Sequence, residues 1–163
     1  VMSHLQNTLS SNSFLAPKII YKLCNSVSEN YPWGYIAIFD EKLPNSITQK
    51  DLNEISSEGM RDESINDSII NEMNEINQDL ENGIKIESFG VYNKVWDDEN
   101  SLIFYTTAKS VVNNKDIIEV ITASVLLYKQ YGVYNYIYEN YGEDKPLKNA
   151  QLLLNAAKST KSR

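Results

Sequence analysis

The chain has 163 residues, of which 42% are hydrophobic and 23% charged, a balance that fits one globular domain with a real core. Its one cysteine excludes an intrachain disulfide and fits a reducing, cytoplasmic setting. The net charge is −7, but 17 of the 22 acids and only 5 of the 15 bases lie between Glu29 and Asn100, so that segment carries −12 and lacks the basic stripe of a nucleic-acid binder.

The first residues, VMSHLQNTLSSNSF, have neither a basic nor an apolar stretch of the secretory kind, and 1–13 reads as a flexible tail. A single domain over 14–158 and a short tail, 159–163, complete the division. Pro17 suits a first helical turn, and Ile20, Leu23, Cys24, Val27 and Tyr31 recur at helical spacing until Tyr31-Pro32 ends the pattern. Trp33 to Phe39 (WGYIAIF) is aromatic and β-branched on both faces and predicts a strand buried inside a sheet.

Thr48 with Asp51 forms a capping pair that opens a short helix stopping at Gly59. Ser64 opens a second helix, with Ile65, Ile69, Met73, Ile76 and Leu80 as its apolar stripe and Asn82-Gly83 as its end. Asn66, Asp67, Asn71, Glu72, Asn74, Glu75, Gln78 and Asp79 make up its acidic, carboxamide-rich face. Ile84 to Trp96 alternates as a strand interrupted at Gly90, Asp97 to Asn100 is a turn, and Ser101 to Ala108 returns as the partner strand. Polar residues at alternate positions of this hairpin predict a sheet face that is partly open. Asn113-Asn114 breaks the chain, and Asp116 with Glu119 opens a predicted helix through Ile117, Val120, Ile121, Ser124, Tyr128 and Tyr131. A last helix starts near Pro146, with Leu147, Ala150, Leu154 and Ala157 on one face.

Six of the 11 tyrosines fall between Tyr128 and Gly142. If a helix runs through Gly132, then Tyr128, Tyr131, Tyr134, Tyr138 and Tyr141 form one stripe. If it stops there, Tyr134, Tyr136 and Tyr138 share one strand face. The helix is the preferred reading. Such a stripe is either core or a contact surface, since Tyr offers large area for two rotatable bonds.

The predicted fold is therefore α+β, a small antiparallel sheet of three to four strands packed by four to five helices. The only histidine is His4, and the sequence holds no zinc spacing, phosphate loop or dinucleotide fingerprint. No catalytic residue, metal site or cofactor is assigned. The longest near-apolar run, Val120 to Tyr128, is far short of the roughly 20 residues of a membrane helix. These features predict a non-enzymatic, acidic protein-binding module, monomeric or weakly dimeric, with a basic protein as partner and neither nucleic acid nor membrane.

In composition, though in no motif, the chain resembles bacterial immunity or antitoxin proteins, and the resemblance implies an inhibitor of a nuclease-like toxin. Alternative readings are a secretion-type chaperone, a hydrolase using carboxylates with or without a metal, and a structural subunit. The expected partner-binding residues are Asp67, Glu72, Glu75, Asp79, Tyr131, Tyr134 and Tyr138. Charge steering and aromatic anchors give the reason for that choice.

Overall fold

The structure is a computed structural model that describes residues 19–22, 33–39, 41–79 and 83–161. Among these residues seven strands form one antiparallel sheet: β1 Ile19–Lys22, β2 Trp33–Ile38, β3 Ile84–Phe89, β4 Asn93–Asp97, β5 Leu102–Val112, β6 Lys115–Tyr128 and β7 Tyr131–Asn140. Three helices stand among the described residues: α1 Gln49–Gly59, α2 Glu63–Asp79 and α3 Lys145–Lys161. The sheet order is β1-β2-β7-β6-β5-β3, with β4 also pairing β5. β3 and β4 share one lane beside β5, at Val112 to Ala108 and at Tyr105 to Leu102 respectively. The result is a curled half-barrel six lanes wide.

This corrects the expected α+β fold of three to four strands packed by four to five helices: the described residues are mostly sheet, with three helices. Ile19–Lys22 is a strand where helical spacing had been read; residues 23–32, with Cys24, lie outside the described set, as do His4 and the whole of 1–13. The larger correction is β6. Residues 119–126 are buried on both faces, so their apolar positions satisfy helical spacing as well as any other. The Tyr run is β7, also a strand, with Tyr134, Tyr136 and Tyr138 on one face. Both corrections follow from two-residue turns. Asn113-Asn114 has φ of 51° and 61°, and Lys129-Gln130 has φ of 50° and 66°, the geometry that joins antiparallel strands directly. α3 also continues to Lys161, inside the segment read as a tail.

Other elements follow the sequence closely. The Thr48 hydroxyl accepts from the Asp51 N–H while the Asp51 carboxylate accepts from the Thr48 N–H at 2.8 Å, a complete capping box for α1. Thr48 also holds the Asp51 carboxyl below the usual carboxylate range. At Gly90 the β3–β4 lane breaks as expected.

Two apolar cores lie on opposite faces of the sheet. On one, Leu52 and Ile55 of α1 pack with Phe39, Phe104, Ile121, Val125, Tyr134 and Tyr138. On the other, Ala150, Leu153 and Leu154 of α3 pack with Ile103 and Ile137. Where α3 does not reach, Lys85, Glu87, Ser88 and Lys109 are exposed, and Lys109 lies 2.8 Å from Glu87 and 3.5 Å from Asp116 across three strands.

Carboxamide side chains complete the sheet where backbone partners run out. β5 begins at Leu102, opposite Val125, so β6 extends past it. There the Leu127 N–H donates to Gln49 Oε1 at 2.7 Å and Gln49 Nε2 donates to the Val125 carbonyl at 3.2 Å. Asn53, one turn further along α1, donates to Asp97 Oδ1 and to the Asp98 carbonyl, both at 2.9 Å. Gln130 donates to the Pro44 carbonyl at 2.7 Å and ties the chain entering α1 to the β6–β7 turn.

Candidate functional site

α2 runs beside the outer edge of β3, and its two sides differ. Asn66 and Asn74, partly buried, turn toward the sheet. Asn74 Nδ2 donates to the Ile86 carbonyl at 2.8 Å, and the Ile86 N–H donates to Asn74 Oδ1 at 2.7 Å. Asn66 Oδ1 accepts from the Tyr92 hydroxyl at 3.0 Å. The other side is open: Glu63, Asp67, Asn71, Glu75 and Gln78, at intervals of four, four, four and three, are all exposed. The helix thus presents an acidic stripe to solvent from a fixed seat on the sheet edge.

Asp67 and Glu75 stand where the sequence placed them, on the solvent side. The side chains of Glu72 and Asp79 lie outside the described set. Tyr134 and Tyr138 do not join them, being only 6% and 3% exposed and part of the core under α1. Tyr131 is half-buried beside the β6–β7 turn, with the Lys42 ammonium 5.6 Å from its ring centre. Ile86, where α2 is seated, is level with Ile117 of β6, whereas Tyr131 faces Tyr128. Eleven residues of β-strand separate those levels, about 36 Å, and the Asn66 end of α2, tethered to Tyr92 near the level of Thr122, is still six strand residues away, about 20 Å. The acidic and aromatic halves of the expected surface are therefore two places, and only the acidic half is a continuous stripe.

Asn66 and Asn74 are what sequence reasoning missed, since it assigned both to the outward face. Asn is a weak helix former because its amide competes for backbone groups. α2 carries four of them, Asn66, Asn71, Asn74 and Asn77, so its asparagine content was the available signal, and it does not single out the two that face the sheet.

Charge is divided in space as it is in sequence. Glu54 and Glu58 on α1 and Glu63, Asp67 and Glu75 on α2 are exposed. α3, on the opposite face of the sheet, has four lysines and no acid. Lys145 is paired with Glu139 at 2.5 Å, and that carboxylate keeps the lysine pKa above its ordinary value. Among the described residues no three of His, Cys, Asp and Glu are grouped so as to hold a metal ion, and no helix is long and apolar enough to cross a membrane.

The tyrosines instead set an alkaline limit. Burial pushes the Tyr134 hydroxyl up to about 12, against an opposing hydrogen bond with Ser56 at 2.8 Å. Tyr92 is likewise pushed to about 12 by burial. A folded-state pKa above the unfolded value of 10.0 means that this contribution is complete below pH 10 and is lost as pH rises toward 12. Urea midpoints should fall over that window, and Tyr134→Phe should flatten the fall. An identical alkaline slope in Tyr134→Phe would remove Tyr134 as its source.

No known protein family matches the sequence, and no curated protein does. A search of solved structures finds a cyanobacterial PsbP, the CyanoP solution structure from Synechocystis sp. PCC 6803. It is 12% identical, with a TM-score of 0.36, over 87% of this chain and 79% of that one. So distant a likeness bears on neither fold nor function here.

Proposed function

We propose that this chain is a non-enzymatic protein-binding module of the immunity or antitoxin kind, neutralising a basic partner through α2. The observation that carries the reading is the exposed stripe from Glu63 to Gln78, containing Asp67 and Glu75, on a helix tethered from its other side. The −12 segment adds long-range attraction for a basic surface, while the lysines of α3 lie on the far face of the sheet, where they do not cancel it locally. The same reading places the chain in the cytoplasm, where a lone thiol such as Cys24 stays reduced.

The test is capture from native lysate on tagged wild-type chain and on Asp67→Lys/Glu75→Lys, at low and moderate salt. Both positions are exposed, so the variant should keep its circular dichroism and melting temperature. The expected result is one basic protein held in stoichiometric amount by the wild type, released as salt rises, and lost to the variant at least ~10-fold. Adding the chain should then silence that partner's own activity. Equal capture by both proteins would remove α2 from the interface, and a partner whose activity is unaffected would remove the inhibitor reading.

A further inference from the structure

We propose that Asn74 is the positioning residue of the acidic stripe, acting as a one-residue strand on the open edge of β3. The inference rests on reading that stripe as the binding surface. Among the described residues β3 pairs with β5 alone, and the Ile86 N–H and C=O point away from β5 at that sheet edge. One carboxamide satisfies both, at 2.7 and 2.8 Å. A side-chain amide carries its donor and acceptor much as a peptide group does, so it meets both only at one position along the strand. That fixes where α2 sits.

The Asn66 to Tyr92 bond is a second tether eight residues away, about 12 Å along the helix axis. Two tethers at that spacing hold the helix against sliding and against rotation. Each tether is followed directly by a carboxylate, Asn66 by Asp67 and Asn74 by Glu75. One residue is about 100° of helical turn, so a tether facing the sheet aims the next side chain out to solvent. A stripe ordered in advance spares a partner part of the ordering entropy of binding. The same contact closes an edge that would otherwise be free to pair with another strand.

The test is residue-resolved amide exchange by NMR on the full chain without any partner, comparing wild type, Asn74→Ala and Asn74→Asp. In wild type the outward Ile86 N–H should be protected. In Asn74→Ala its protection should fall at least ~100-fold, with the Asp67 and Glu75 amides losing protection too, while the β5–β6–β7 ladder is unchanged. Asn74→Asp keeps the acceptor but replaces the donor with a carboxylate oxygen facing the Ile86 carbonyl, so it too should lose Ile86 protection. Unchanged exchange at Ile86 in Asn74→Ala would overturn the proposal, as would an equal loss across β5 and β6, or an aspartate variant that keeps wild-type protection. No partner enters this experiment, so its failure stands apart from failure of the Asp67→Lys/Glu75→Lys capture.

Discussion

Gly132→Ala is expected to cost about 3 kcal/mol of folding stability, seen as a lower urea midpoint with an unchanged slope. A Cβ on Gly132 would sit 2.7 to 2.9 Å from three atoms of the Phe39 ring. That ring is 3% exposed and stacks on Tyr134 at 5.7 Å between centres, so moving it away disturbs the core. Its backbone is fixed as well, because the Phe39 N–H donates to the Gly132 carbonyl at 2.9 Å. Gly132 is therefore the point where the end of β2 lies flat on the start of β7. Shortening the ring should relieve the clash, so Gly132→Ala in a Phe39→Leu background should cost less than it does alone. A strictly additive pair would show that the cost arises elsewhere.

Gln49→Leu should be comparably severe, at about 3 kcal/mol or more, although the volume hardly changes. Gln49 is buried and makes three bonds, to the Leu127 N–H, the Val125 carbonyl and Asn53 Oδ1. Leucine leaves the first two backbone groups facing an apolar neighbour, which costs more than the net worth of the bonds themselves. Amide exchange at Leu127 should rise in step with the loss of stability. A Leu127 amide that stays protected would mean that another group replaces Gln49.

The same physics explains what was legible in the sequence. α1 announced itself because Thr48 and Asp51 carry their capping chemistry locally. Gly90 and Asn113-Asn114 marked real breaks because backbone conformation is also local. β6 was hidden because burial on both faces erases alternation. The remaining clue was composition, since six of the nine residues from Ile117 to Val125 are β-branched. Lys129-Gln130 was hidden too, because neither residue favours positive φ. Tertiary bonds hold it there: the Gln130 amide reaches the Pro44 carbonyl, and the Leu43 N–H reaches the Gln130 carbonyl at 2.7 Å.

On the candidate surface, Asp67 and Glu75 were readable because a helix with one polar side exposes it. Tyr134 and Tyr138 were not, because the face they occupy depended on the strand assignment of β7. The role of Asn74 depended on β3, twelve residues away and silent in the sequence about its free edge.

The measurement that bears most directly on the acidic stripe of α2 is the association rate of the captured basic partner as a function of ionic strength, for wild type and Asp67→Lys/Glu75→Lys. Charge steering predicts a wild-type rate that falls steeply with salt, and a variant whose association is slower at low salt and nearly flat. Matching rates and matching salt slopes in the two proteins would contradict the account and move the binding surface away from α2.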